Sequence, residues 1–243
     1  MKNSLRIAVL ALAVGVVPPS FVLAERVEDK ATFDVVIRGI SAASLGFSAV
    51  EEGDRYAVSG LLKSAGIAAM FRKISYTGTA RGAVSETNYT PSSYVETSDN
   101  GKRTSTSKMT YSRGVPSAVQ YTPARAGREK DVDPASQGGT VDTLTALYAI
   151  LRDVDAGQEC KVSLKMYDGR YVSSIAISKP ATKGKTVVCS GQYRRIAGFK
   201  PEEMAERTNF PFTLTYEPVA NGKMRVTEVA MESIYGKAAM KRR

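Results

Sequence analysis

The chain's only two thiols, Cys160 and Cys189, lie 29 residues apart. That is not the C-x-x-C spacing of a redox pair, so they form either a structural disulfide or two separate buried thiols. Nucleophilic chemistry has little else to use. The sequence contains no histidine, which removes the imidazole base of the common serine and cysteine hydrolases and the imidazole ligands of most zinc, haem and non-haem iron sites. A serine activated by a desolvated lysine needs no imidazole, and Ser64 follows Lys63 while Ser107 precedes Lys108. Neighbours in a strand point to opposite faces, so neither pair makes a dyad in an extended segment. Asp131, Asp133, Asp153 and Asp155 offer oxygens of the kind calcium takes, but without a calcium-loop spacing they read as solvated charge. No catalytic residue, metal site or cofactor is expected.

Charge and aromatic rings are the other raw material. Lys and Arg number 34 against 24 Asp and Glu, a formal net charge of +10. Arg194, Arg195 and Lys200 gather beyond the second cysteine, and Lys237, Lys241, Arg242 and Arg243 crowd the C-terminus. Arg194, Arg195, Lys200, Lys241, Arg242 and Arg243 are therefore the candidate contacts for an anionic partner: envelope lipid, lipopolysaccharide phosphate or acidic peptidoglycan, with peripheral membrane contact. The bland alternative is that positive charge merely keeps the protein soluble. The 12 Tyr, 7 Phe and 8 Met could line a cavity for an apolar ligand, or simply fill a core.

The start of the chain bears on both questions. Lys2 and Arg6 precede an apolar stretch from Ile7 to Val17, and Val22-Leu23-Ala24 precedes Glu25. Basic end, short apolar centre and small residues at a cleavage point make a secretory signal over residues 1–24. The stretch is far shorter than the roughly 20 residues that cross a bilayer. Cleavage would leave residues 25–243 as a single domain, long enough to bury a sizeable core. Secretion favours pairing of the two cysteines, worth about 3.6 kcal/mol for a loop of this length. It also makes nucleic acid an unexpected partner.

Most of the remaining sequence alternates with a period of two, the signature of strands with one buried face. Val162, Leu164 and Met166 alternate with Lys161, Ser163 and Lys165; Asp168-Gly169 makes a tight turn; Tyr171 to Ser178 returns and Thr186 to Arg195 follows. Further strands are read around Phe33, Val35 and Ile37, and over 40–51, 55–62, 74–84, 89–98, 102–112, 117–121, 212–216 and 224–235. About a dozen strands on short turns predict an all-β antiparallel meander curled into a barrel or β-spiral, because a flat sheet would expose long edges.

Two segments depart from this pattern. Asp142 caps a predicted amphipathic helix carrying Leu144, Leu147, Ile150 and Leu151, which either plugs the barrel or covers a ligand cavity. Pro201 to Arg207 reads as one or two helical turns, Ser64 to Phe71 is either a short helix or a bulged strand, and residues 123–139 read as one long exposed, mobile loop. In a simple meander Cys160 and Cys189 would be two strand spacings apart, roughly 10 Å, beyond the roughly 7 Å a disulfide allows. The sequence therefore favours Cys160 on a loop from Gly157 that folds over the strand.

Several motifs occur in an order that carries a resemblance: Gly39-Ile40, the run Ser64 to Phe71, Gly114-Val115-Pro116, the run Asp142 to Tyr148, Cys160 with Asp168-Gly169-Arg170, and Cys189 with the run Tyr193 to Phe199. The chain resembles an uncharacterised proteobacterial domain-of-unknown-function family, the one numbered three thousand one hundred and eight. More distantly it is similar to the β-spiral envelope proteins of α-proteobacteria typified by EipB. The resemblance implies a periplasmic all-β protein with no assigned reaction and no catalytic residues to carry over.

The resulting expectation is a non-enzymatic periplasmic protein that supports cell-envelope maintenance by binding an envelope component or a periplasmic protein. The alternative is a carrier of a lipid or other apolar ligand; a histidine-independent cell-wall hydrolase ranks third. An open apolar cavity would favour the carrier, and a filled barrel with surface patches the scaffold.

Overall fold

The computed structural model describes residues 25–128, 131–233 and 236–243. The expected secretion signal lies outside them. So do Ile234 and Tyr235, the last two residues of the strand expected over 224–235.

The alternating segments form long hairpins. The first half comprises β1 (Arg26–Ile37), β2 (Ile40–Glu52), β3 (Arg55–Ser64), β4 (Ser75–Ser85), β5 (Asn88–Asp99), β6 (Thr104–Ser112) and β7 (Val115–Thr122). The second half comprises β8 (Thr140–Val141), β9 (Val154–Asp155), β10 (Val162–Tyr167), β11 (Val172–Lys183), β12 (Thr186–Ala197), β13 (Asn209–Pro218), β14 (Lys223–Ser233) and β15 (Gly236–Arg242). Strands β1 to β7 and β10 to β15 each form an antiparallel meander in spatial order, and β8 pairs parallel with β10. The C-terminal strand β15 then pairs antiparallel with both β14 and β1 and joins the halves into one continuous path from β7 to β8. The result is a nearly closed barrel of 14 strands, with β9 added beside β14. Closure removes the edges that so many strands would otherwise expose.

The seam between β7 and the β8–β10 side is bridged by the long connection, which is not the free loop its composition suggests. The Tyr167 hydroxyl donates to the Val132 carbonyl at 3.1 Å, the Gly139 N–H to the Gly114 carbonyl at 3.0 Å, and the Tyr121 hydroxyl to the Gly169 carbonyl at 2.8 Å. Val132 packs against the core. Most of its described residues are exposed, as their Gly, Pro and charge suggest, and the nearly closed barrel still gives several of its backbone donors and acceptors partners.

Inward-facing Phe33, Phe47, Tyr56, Val58, Met109, Leu214, Tyr216 and Val226 form the wall side of the core. Much of the interior is occupied by helix α2 (Thr143–Leu151), with Leu144, Tyr148, Ile150 and Leu151 buried against those walls. Asp142 caps it, accepting from the Thr145 N–H at 2.8 Å and the Thr145 hydroxyl at 2.6 Å. Of the two placements open for this helix, it takes the plug position. The segment after Ser64 is helical rather than a bulged strand: α1 (Gly66–Phe71). The third helix, α3 (Pro201–Glu206), follows β12.

Cys160 and Cys189 are disulfide-bonded, with Cα atoms 5.3 Å apart. Cys160 sits before β10 in the left-handed region (φ 63°), on the turn from Gly157, while Cys189 points inward from β12 with no exposed surface. The turn thus carries one sulfur across the two strand spacings that a simple meander imposes.

Candidate functional site

Helix α2 does not fill the barrel completely. Near its N-terminus, at the end where α1 and the β10–β11 turn lie, a cavity of about 400 Å³ remains. Its walls differ in character. On the β2–β4 side and along the helix it is lined by Leu45, Gly60, Leu62, Gly78, Leu144 and Leu147. From β5 round to the β10–β11 turn it is lined by Glu96, Ser107, Tyr121, Arg125, Asp168 and Arg170. The first side is mainly apolar, with Thr77 and Thr143 also lining it, and the second is mainly polar, with Tyr94 and Tyr171 beside its charged groups.

The glycines on the apolar side make room for the helix. Gly60 and Gly78 are cross-strand partners, and a Cβ on them would stand 2.6 and 3.3 Å from the Leu144 methyls. This pair thins the wall where Leu144 leans into it.

The polar wall is held by local bonds. The Tyr94 hydroxyl donates to Glu96 Oε2 at 2.5 Å. Asp168 accepts the N–H groups of Arg170 and Tyr171 at 2.9 and 2.7 Å and so organises the four-residue turn between β10 and β11, longer than the two-residue turn expected. Burial raises the Asp168 carboxyl above the ordinary carboxylate range, against those N–H bonds. Arg170 Nε is 3.2 Å from Asp131 Oδ1, and Arg128 Nε is 3.0 Å from the same oxygen. Arg170 Nε and Arg128 Nη2 are nonetheless buried without a hydrogen-bond acceptor in suitable geometry. Arg125 lies over the Tyr121 ring at 4.6 Å and joins Arg170 in this wall, where Glu96 and Asp168 also stand.

Behind this cavity, Tyr56, Thr145 and Asp142 form a buried chain in which the two hydroxyls are 2.8 Å apart. Desolvation pushes the Asp142 carboxyl up to about 6, the Thr145 hydroxyl and N–H opposing it. The Tyr111 hydroxyl, raised by burial and by the Asp142 charge, has no hydrogen-bond partner among the described residues.

At the opposite end a wider cavity of about 870 Å³ opens past the C-terminus of α2, walled by Glu28, Glu51, Glu86, Asp155, Arg152, Lys161 and Lys223 among others. Its charged lining suits water better than an apolar ligand.

The six candidate anion-binding residues do not act as one group. Arg242 is inside: its side chain is 7% exposed and lies 3.2 Å from Asp153 and 3.6 Å from Asp29. Arg243 pairs with Asp34, and Lys241 stands 3.8 Å from Glu228. Arg195 donates to the Glu203 and Arg207 carbonyls at 2.6 and 3.0 Å and packs between Phe199 and Phe210. Of the six, only Arg194 and Lys200 are exposed with no ion pair to a described residue. The C-terminal cations belong to a central strand, so most of their charge is already engaged within the fold, a pairing across distant strands that sequence cannot show.

The remaining candidates are also accounted for. Ser64 Oγ accepts the Ile74 N–H at 3.0 Å, while Ser107 lines the smaller cavity and Lys108 is exposed. Asp153 binds Arg225 at 2.6 Å, Asp155 binds Lys223 at 2.9 Å, and Asp133 caps a short 3-10 turn. Among the described residues no group of three or more metal-ligating side chains converges.

The sequence matches a family model, that of the protein of unknown function DUF3108, over residues 32–237. The chain belongs to this family. No curated protein matches the DUF3108 chain. Among solved structures it is similar to a β-barrel-like protein of the domain of unknown function DUF1849 from Brucella abortus, at 9% identity and a TM-score of 0.41, covering 91% of this chain and 96% of that one.

Proposed function

We propose that this DUF3108 protein is a periplasmic, non-enzymatic binding protein that holds one amphiphilic envelope molecule. The apolar part lies along Leu45, Leu62, Leu144 and Leu147, and the polar head faces Arg125, Arg170 and Asp168 at the mouth. The single observation that supports this reading is the two-sided lining of the 400 Å³ cavity, of a size that suits a small ligand and with its charged groups confined to one wall. Among the functions the sequence leaves open, this favours the carrier over a scaffold with a filled interior. Arg125 and Arg170, which line this wall, give a head group with acceptor oxygens something to bind.

The test is native mass spectrometry of protein purified from the envelope of its own host, followed by solvent extraction. A retained amphiphile at one per chain is expected. Leu147→Trp fills the cavity from the helix and lowers affinity for a fluorescent acyl probe at least tenfold at unchanged thermal stability. A protein that carries nothing and binds no probe would overturn the reading.

A further inference from the structure

Helix α1 reverses the usual orientation of a surface helix. Ile67, Met70 and Phe71 recur at i, i+3 and i+4 on one face, and they are 58%, 84% and 86% exposed. The half-buried residues are the small ones, Ala68 and Ala69. A helix held by burial of an apolar stripe would do the opposite. This one is held by its ends: the Ala65 N–H donates to the Ala42 carbonyl at 3.0 Å, and Gly66 sits so close to Ser41 that a Cβ would meet its carbonyl at 2.8 Å. Ile40, 53% exposed at the start of the same β2 strand, extends the apolar tip.

The surroundings of this tip are cationic. Lys63, Arg72 and Lys73 flank α1, and Lys102 and Arg103 stand on the neighbouring β5–β6 turn, all exposed. Arg72 Nε donates to the Asn100 carbonyl at 2.9 Å and ties the two loops together. Residues 60–75 and 100–104 contain no Asp or Glu, and Asp99, just before the second of these segments, accepts the Gly101 N–H within its own turn.

We infer that this tip docks on an anionic phospholipid leaflet, with Ile67, Met70 and Phe71 inserted among the acyl chains and the five cations against the phosphates. Apolar side chains on one helix face inside a ring of Lys and Arg are what an interfacial anchor requires, and each cation near an anionic surface is worth about fivefold in binding. The connection that carries α1 joins β3 to β4, whose Leu62 and Tyr76 line the smaller cavity. Docking therefore brings the mouth to the membrane. The surface is argued independently of the cavity; only its purpose, transfer of the bound molecule, rests on the proposed function.

Co-sedimentation of the purified protein with vesicles of phosphatidylcholine alone and of phosphatidylcholine with phosphatidylglycerol tests this. Binding to the anionic vesicles only, weakened by 0.5 M salt, is expected. The triple variants Ile67→Ser/Met70→Ser/Phe71→Ser and Lys63→Gln/Lys73→Gln/Lys102→Gln should each bind at least tenfold more weakly, with unchanged melting because all six side chains are exposed. Absence of vesicle binding by the unaltered protein, or equal binding by the apolar variant, would overturn the inference, as would a self-associating protein that the apolar variant renders monomeric and that binds no vesicles. Uptake of the acyl probe without vesicles is read separately: uptake with no vesicle binding overturns docking and leaves the carrier reading intact, while vesicle binding with no uptake supports docking and removes the carrier.

Discussion

Arg242 Nη1 stands 3.2 Å from Asp153 Oδ1, joining the last strand of the chain to the connection just after α2. Asp29 on β1 closes the group: its carboxylate lies 3.6 Å from Arg242 and accepts the Asp153 N–H at 2.9 Å. Desolvation lowers the Arg242 pKa from its ordinary value and raises that of Asp29. Removing one member of a largely buried cluster leaves charge uncompensated. Arg242→Met should therefore cost about 3 kcal/mol in urea unfolding, and Asp29→Asn in the same chain should return part of it. Deleting residues 237–243 should abolish folding altogether, read by circular dichroism, since β15 is the strand joining the two meanders.

The disulfide between Cys160 and Cys189 closes a loop of sequence separation 29. Replacing both cysteines by alanine should lower stability by about 3.6 kcal/mol on the chain-entropy model, with the strand signature retained at low temperature. A denaturation midpoint indifferent to reductant would contradict this.

Asp142 sets a pH dependence of unusual sign. Its carboxyl, pushed up to about 6 by burial, holds its proton more tightly folded than unfolded, where it titrates near 3.9. This contribution is fully present below about pH 4 and is lost as pH rises through about 6, on the order of 2–3 kcal/mol. Asp142→Asn keeps the helix cap and should flatten most of the slope, with Asp29 and Asp168, also raised by burial, supplying the remainder. Urea midpoints measured between pH 4 and 7 decide it; a wild-type profile that rises with pH and a variant that follows it would be the contrary result.

Gly60 and Leu144 should be energetically coupled. A Cβ at position 60 meets a Leu144 methyl at 2.6 Å, so Gly60→Ala should cost about 1–2 kcal/mol by overpacking. In a Leu144→Ala background the same change should be neutral or mildly stabilising, because alanine suits a strand better than glycine. A double-mutant cycle giving a coupling below about 0.5 kcal/mol would show that the wall yields freely.

Much of this architecture was legible residue by residue. Val162, Leu164 and Met166 against Lys161, Ser163 and Lys165 announce a strand because side-chain direction alternates along any extended backbone. Asp142 announces its helix because the first free N–H groups of a helix need an acceptor. The placement of Cys160 on a turn from Gly157 followed from distance alone. The fate of the C-terminal cations did not. Lys241, Arg242 and Arg243 read as a basic tail, and they became a central strand with a buried arginine because β1, some 200 residues earlier in the chain, offered Asp29 and Asp34 as partners.

Local chemistry thus determined the strands and the helix cap, since each depends on neighbours within a few residues; repetition of the strand pattern along the chain set the all-β class, and having just two cysteines made their pairing the expected sulfur link. Tertiary structure alone decided which cations are free, that the Pro- and Gly-rich connection bridges a seam, that α1 turns its large side chains to solvent, and that α2 leaves a two-faced cavity beside it. Those properties depend on which strands meet around the barrel and on the volume left between them, and neither quantity is written in the spacing of residues along one chain.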